Sequence, residues 1–379
     1  MTFVTNMFTL LCNSAIETMS DTYGRRGVLV LSMFLSTISP AVLVLLQIIP
    51  TMDSFWFYAS NSIVGVVNYV SICFTVLSDV IPKRYRTPGF GLFMGTFYLG
   101  FSLSPSMTFI FTHWQVSIFS FIMMILGFIY TVCFLPETLP SHVAIHNQQQ
   151  SIRSSESIGI MIIRPLQGLK ILNQNMAIRL VAVGAFISGM VYSTDATLCL
   201  YYFENHLHVN DSDLARMFLV MGFVGIVIQA FLLKFLLQIL GEKGLLVTSF
   251  ISGTIHNLIY GLAQTKFLIY VALSLSQLTK TNFPILSSLA SAHATDYQQG
   301  SIQGALFALS ALANAIGPMC LQLFSSNGQM FVVASGLYLI GTLVVSFLPD
   351  KKRQDEDNGD LEEPLLTLEE RPIDVSTDS

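Results

Sequence analysis

Charged residues are scarce in this chain. Aspartate, glutamate, lysine and arginine make up 11% of its 379 residues, whereas a soluble protein carries about a quarter. Their scarcity leaves apolar runs of roughly 20 residues, which is the length that a helix needs to cross a bilayer core of about 30 Å. A soluble globular domain is excluded, and we predict an all-α, multi-pass membrane protein whose first partner is the lipid bilayer.

Other absences exclude further classes of protein. The five cysteines lie inside the apolar segments, which argues against disulfides and metal ligation. There is no basic patch for a nucleic acid and no cleavable signal peptide. We find no paired carboxylates at catalytic spacing, no nucleophile elbow and no phosphate-binding loop. We therefore predict no catalytic residues, no metal site, no cofactor and no enzyme activity.

The apolar runs divide the chain into two sets of spans. We predict eleven membrane-spanning helices, at residues 2–19, 27–49, 54–77, 88–111, 115–135, 179–202, 214–237, 245–264, 267–290, 299–324 and 329–348. They form an N-terminal bundle of five spans in residues 1–138 and a C-terminal bundle of six in residues 176–349. A polar linker occupies 139–175, and its second half fits either an interfacial amphipathic segment or an irregular loop. Residues 350–379 form an acidic tail that we predict to be disordered.

The distribution of lysine and arginine orients the chain. With the loop after the first span in the cytoplasm, fifteen of these residues lie on or near that side and only Arg216 and Lys266 lie opposite. Such a bias is typical of the cytoplasmic side of a membrane. We predict a cytoplasmic linker and C-terminus, in either the plasma membrane or an endosomal or vacuolar membrane.

The two halves share an internal repeat. Three pairs of like residues are each 213 positions apart, namely Gly91 and Gly304, Pro105 and Pro318, and Pro136 and Pro349. Parallel repeats joined by a long loop are typical of secondary transporters.

A charged hairpin, Ser20 to Arg26 (SDTYGRR), joins the first two spans. Gly24 permits a tight turn there. The pattern Asp-x-x-Gly-Arg-Arg after a first span resembles the loop between helices two and three of the major facilitator superfamily.

Motifs elsewhere narrow the resemblance. The chain is similar to the tetracycline-resistance-protein-like branch, and within it to the hippocampus-abundant-transcript-like transporters, at Asp296 to Gly304 (DYQQGSIQG), Ala315 to Pro318 (AIGP), Thr281 to Pro284 (TNFP), Tyr201 to Phe203 (YYF), Pro136 to Pro140 (PETLP), and Ser78 and Asp79 with Arg84 and Arg86.

The resemblance implies twelve helices in two bundles with a solute site between them. Since the hairpin follows the first span, helix one of twelve has no counterpart here. The implied function is transport of a small organic solute by alternating access, with a coupled proton as an option. The alternative is a non-transporting relative with a sorting or protein-interaction role. Proton-coupled drug exporters carry an arginine in helix four where this chain has Asn61, so proton-driven drug export is not supported.

Polar side chains within the spans are the candidates for contact with solute or protons, because an unpaired charge is costly in a membrane. Asp195 and Lys280 fall in family helices seven and ten, which line the central path. We expect them to face the cavity and either to pair or to contact the solute and a coupling proton. Asn61, Tyr69 and Asn282 are further candidates.

Two more sets of residues are candidates for conformational control. In the family, this hairpin holds the cytoplasmic gate closed. The resemblance therefore implies a conformational latch formed by Asp21, Gly24, Arg25 and Arg26, with Asp79, Arg84 and Arg86 as candidate partners. The alternative is that the positive charges simply anchor the helix end on the cytoplasmic side. Gly100, Pro105, Gly317 and Pro318 are either gating hinges or sites of close helix packing. We expect the protein to act as a monomer.

Overall fold

The structure is a computed structural model that describes residues 2–49, 51–107, 110–154, 165–324 and 328–349. These residues form helices and connecting turns, without a strand among them. Six of the helices in this part of the chain are long and apolar enough to cross a membrane. The predicted all-α class is confirmed, whereas the number of crossings stays a prediction.

The first half contains six helices and is followed by a helix in the linker. They are α1 (Thr2–Tyr23), α2 (Arg25–Ile48), α3 (Phe55–Ile63), α4 (Tyr69–Val80), α5 (Arg86–Met107), α6 (His113–Phe134) and the linker helix α7 (Ser141–Ser154). The second half contains α8 (Met176–Leu207), α9 (Asp211–Ile226), α10 (Leu233–Leu262), α11 (Lys266–Thr279), α12 (Asn282–His293), α13 (Gln299–Gln322) and α14 (Gln329–Ser346). A π-helical turn, Val227–Leu232, joins α9 to α10.

Local chemistry sets several helix ends. Gly24 has a φ of 111°, which a residue with a side chain rarely adopts, and it separates α1 from α2. Thr112 and Gln115 form a capping box at the start of α6. Gly241, with a φ of 68°, interrupts the helical geometry within α10, so α10 consists of two helical pieces.

The predicted span at 54–77 is not one continuous helix, because α3 and α4 are separated by a non-helical segment. The Thr9 hydroxyl donates to the carbonyl oxygen of Gly65 at 3.0 Å, and the Asn68 side chain accepts from the N–H of Val70. A membrane helix can break where neighbouring groups satisfy the freed backbone in this way. The predicted span at 267–290 is likewise divided, between α11 and α12, at Lys280 and Thr281.

The two halves pack as two bundles with a repeated layout. The seams between them are formed by α1 against α13, α5 against α9, and α4 against α13. Helix α4 begins at residue 69 and α12 at 282, and α5 begins at 86 and α13 at 299. Each pair of starts is 213 residues apart (282 − 69 and 299 − 86), the offset found in the sequence.

Apolar side chains cover the outside of the bundles as well as their cores. Helix α6 leaves large side chains exposed along one face, at Phe119, Ile122, Leu126, Tyr130 and Phe134. Exposed apolar surface of this kind suits contact with lipid chains.

The linker is more ordered than its composition indicates. Residues 141–154 form helix α7, which packs on α1, and residues 165–173 form a 3-10 helix against α1 and α13. The predicted disordered tail and the middle of the linker lie outside the described residues.

Candidate functional site

A cavity of about 410 Å³ lies between the two bundles. Aromatic and aliphatic side chains form most of its wall, with contributions from Phe97 and Tyr98 on α5 and from Phe283 and Phe307 on the second bundle. A mainly apolar cleft with a few polar groups is the usual form of a small-molecule site. Because helices of both bundles line it, movement of one bundle against the other would reshape it.

Asp195 on α8 and His256 on α10 form the acid–base pair of this cavity. The distance from His256 Nε2 to Asp195 Oδ2 is 3.1 Å, and the aspartate side chain keeps 20% of its surface exposed. His256 Nδ1 lies 3.1 Å from the carbonyl oxygen of Ser252, which can only accept. With Nδ1 as the donor to Ser252, Nε2 can accept from the Asn257 amide, which lies 2.9 Å away. A hydrogen bond between Nε2 and Asp195 then requires a proton on the carboxyl or on Nε2. The structure thus places a carboxyl group and an imidazole in contact at the cavity wall.

Lys280 lies at the break between α11 and α12, also on the cavity wall. Its ammonium donates to Gln277 Oε1 at 2.9 Å and lies 4.8 Å from the centre of the Tyr98 ring. Among the described residues, no carboxylate lies within 4 Å of it. The expected alternative of a direct Asp195–Lys280 pair is therefore wrong: each residue has a different partner.

The other three candidates are not among the residues that line the cavity. Asn61 is half-buried on α3, and Tyr69 stacks on Phe97 with ring centres 5.9 Å apart. Asn282 is buried within the second bundle and bonds to the hydroxyls of Ser249 and Ser188. Asn68, rather than Tyr69 beside it, faces the cavity.

The hairpin holds the two bundles together at one end of the molecule, which we call the hairpin side. The Asp21 carboxylate accepts from the backbone N–H groups of Gly300 and Ser301 at 2.9 and 2.7 Å. These groups lie in the first turn of α13, where a negative charge is favoured. Asp21 also pairs with Arg25 at 2.6 Å.

Arg25 is fully buried and ties the hairpin to α4. Its Nε donates to Asp79 at 2.9 Å, and Nη1 donates to the Ser20 hydroxyl at 2.7 Å. Arg26 instead donates to the carbonyl oxygen of Val132 on α6 at 2.6 Å. The two neighbouring arginines therefore brace different helices.

Three further contacts cross between the bundles or cover the closed end. Arg86 donates to the hydroxyl of Ser291 at 2.7 Å, whereas Arg84 is exposed over the Tyr85 ring. The Thr87 hydroxyl donates to Glu242, beside the Gly241 kink, at 2.6 Å. In the linker helix, the Asn147 amide donates to the carbonyl oxygens of Asp21 and Tyr297. The cavity is thus closed toward the hairpin side.

Glu137, just after α6, caps the first turn of α2. Its carboxylate accepts from the backbone N–H groups of Arg25 and Arg26 at 2.8 and 3.1 Å. Burial raises the pKa of Glu137, but these donors and the N–H groups of Thr138 and Leu139 outweigh it and hold the pKa below its ordinary value.

We expect Glu137→Gln to lower the thermal unfolding midpoint at neutral pH. Because the folded-state pKa is depressed, the stabilisation is present above the ordinary glutamate value of about 4.3 and is lost as pH falls through the lower folded-state value. Unfolding curves of both proteins between neutral and acid pH should therefore converge at the acid end. A constant difference at all pH values would contradict this role.

The predicted hinge residues have unlike surroundings. A side chain at Gly317 would clash with the backbone carbonyl oxygen of Met190, so α13 approaches α8 closely there. Gly100 has open space around it, and Pro318 lies within α13. Pro105 lies in the last turn of α5. The packing alternative therefore accounts for Gly317 but not for Gly100.

The fold and this site define a class: helical membrane proteins built as two bundles around a central cavity. A model of the Major Facilitator Superfamily matches residues 1–318 and, in a second overlapping match, residues 181–373. The chain belongs to the Major Facilitator Superfamily, whose members are transporters.

Individual proteins agree with this assignment. The mouse and human Hippocampus abundant transcript 1 proteins are 22% identical over 83% of this chain, which spans 63% of their length. The class E tetracycline resistance protein of Escherichia coli is 22% identical over 86% of this chain and 80% of its own. The predicted relationship to these two groups is confirmed.

Solved structures share the fold. The human organic anion transporter MFSD10 (TETRAN) matches with a TM-score of 0.77 and 21% identity, over 91% of this chain and 83% of its own. The proton:xylose symporter XylE matches with a TM-score of 0.68 and 14% identity, over 91% of this chain and 85% of its own.

Proposed function

We propose that this protein moves a small organic solute across a membrane by alternating access between its two bundles. The observation that carries the proposal is a cavity lined by both bundles and closed on the hairpin side by contacts between them. Separation at the hairpin side would expose the cavity there. The alternative of a non-transporting protein is not favoured over this by the family or the fold.

The cavity chemistry favours a solute with an apolar body and an acidic group. Aromatic rings supply the apolar wall, and Lys280 supplies a cation whose described partners are an amide and a ring. A bound carboxylate would give this ammonium a charged partner and make a charge-assisted hydrogen bond. A fold neighbour, MFSD10, is described as an organic anion transporter, which agrees with this choice.

Proton coupling is the second element of the proposal. The Asp195–His256 pair can hold or release one proton beside the bound solute. Two fold neighbours, XylE and FucP, are described as proton symporters. We place the hairpin and C-terminus in the cytoplasm from the lysine and arginine distribution, and we propose a monomeric unit because the cavity is completed within one chain.

Substituting Lys280 tests the solute class. Lys280→Met should weaken binding of aromatic monocarboxylates by about tenfold, the loss of one charge-assisted hydrogen bond. Lys280→Arg should retain binding of the acids, and the matched primary amides should bind wild type and Lys280→Met alike. Ligand-induced thermal shifts on the full chain measure these affinities. If acids and amides respond alike to Lys280→Met, the solute is not recognised as an anion at this position.

A further inference from the structure

A glutamate without a role in the cavity lies buried in the seam on the hairpin side. Glu17 is on α1, one turn before the hairpin, and is fully buried. A side chain at Gly304 of α13 would lie 2.5 Å from Glu17 Cβ, so the two bundles are almost in backbone contact there. Glu17 is therefore at the surface that must separate when this end opens.

Hydroxyl groups, and not a cation, surround the Glu17 carboxyl. Oε2 is 3.0 Å from the Thr75 hydroxyl and 3.4 Å from that of Ser20. The Ser71 hydroxyl, on the same helix as Thr75, also interacts with the carboxyl. Within the same part of the chain, no lysine, arginine or histidine nitrogen lies within 4 Å of it.

The nearby charges do not compensate an ionised Glu17. Arg25 already pairs with both Asp21 and Asp79, so Glu17 would be a third carboxylate for one buried guanidinium. Arg86 donates to Ser291 and to backbone carbonyls. Helix α13 contains no charged residue. On α4, besides Asp79, the titratable group near Glu17 is the Cys73 thiol. Lys170 on the 3-10 helix and His146 on α7, the two linker elements that pack on α1, are exposed.

Burying a carboxylate without a cation costs several kcal/mol, and such a group takes up a proton instead. We propose that Glu17 is a proton-binding site of the seam, separate from the cavity, that holds one proton while the hairpin side is closed. When α1 and α13 separate, water reaches the carboxyl and the proton leaves toward the hairpin side. Opening of this end is thereby coupled to proton release.

The closed-state protonation stands on the geometry alone, whereas its coupling to opening rests on the proposed function. Two measurements on the full chain in lipid nanodiscs separate them. The first is the infrared C=O stretching band of protonated carboxylic acids near neutral pH, without added solute. Glu17→Gln keeps the side-chain shape, and Glu17→Met is a second, apolar variant should the amide disturb folding.

We expect Glu17→Gln and Glu17→Met each to remove the intensity of one carboxylic acid. The control, Glu204→Gln, changes an exposed glutamate in the second half and should leave the band unchanged. An unchanged band in both Glu17 variants would overturn the proposal, whatever the protein transports.

The second measurement is the distance between spin labels at Tyr23 and Gln238, two exposed positions on the hairpin side of the two bundles. Raising the pH should increase the open population in wild type. Glu17→Gln should remove this pH dependence and keep the closed population. If the wild-type pH dependence persists in Glu17→Gln, Glu17 does not couple opening to proton release, even where the infrared result stands.

Discussion

Replacing Asp195 with asparagine should strongly reduce pH-dependent solute uptake by the full-length protein in proteoliposomes. Asparagine keeps the size of the side chain and can still bond to His256, but it cannot take up or release a proton. We expect uptake driven by a pH gradient to fall by roughly tenfold or more, the loss expected for one charge-assisted interaction. Binding of the solute itself, measured by thermal shift, should change less.

A matched control exists in the same half of the molecule. Asp213 pairs with Lys266 at 2.5 Å and does not line the cavity. Asp213→Asn should therefore leave the pH dependence of uptake intact. Flux and pH dependence that are unchanged in Asp195→Asn would remove this residue from proton coupling.

Replacing Asp21 with asparagine should open the hairpin side. The substitution removes the charge that faces the first turn of α13 and one of the two carboxylates paired with the buried Arg25. Breaking a buried ion pair from one side costs about 3 kcal/mol or more. Because 1.4 kcal/mol corresponds to about tenfold, the open population should rise by about 100-fold.

The alkylation rate of a cysteine at Ser14 reports this opening. Ser14 is buried in the seam beside Gly304, and serine and cysteine are close in size. In a background without the native cysteines, Asp21→Asn should accelerate alkylation, whereas Asp53→Asn, at an exposed position, should not. Equal rates in all three proteins would show that Asp21 does not hold this end closed.

The hairpin could be predicted from the sequence because its chemistry is local. Gly24 permits the positive φ, and the short turn keeps Asp21, near the end of α1, close to Arg25, the first residue of α2. The partner on α13 could not be predicted, since a backbone N–H group has no sequence signal of its own. In the sequence Glu137 belongs to the PETLP motif, and its capping of α2 depends on how α6 returns to the hairpin.

The cavity was predicted in outline but not in detail. Asp195 and Lys280 stood out because charges are rare in apolar segments. Their partners depend on the rotation of each helix about its axis, and a single residue step turns a side chain by about 100°. The sequence around His256 does not distinguish it from an ordinary interhelical polar contact, and its position opposite Asp195 is visible only in three dimensions.

The breaks in the third and ninth predicted spans, at 54–77 and 267–290, were not predicted from the sequence for a different reason. Hydropathy over about 20 residues averages across a few non-helical positions. Gly65 and Asn68 were the available signals, a glycine and a capping residue within four positions. Asn61 lies one turn before the break and away from the cavity wall, so its place in the sequence was not a guide to its surroundings.

The most direct test of alternating access compares distances at both ends of the same molecule. One pair of spin labels lies on the hairpin side, at Tyr23 and Gln238, and the other on the opposite side, at Phe55 and Phe267, where both side chains are exposed. We expect two populations. In one of them the hairpin-side distance is longer and the distance at the opposite side is shorter, and Asp21→Asn should increase the share of that population. A single unchanging pair of distances in wild type and in Asp21→Asn would contradict it.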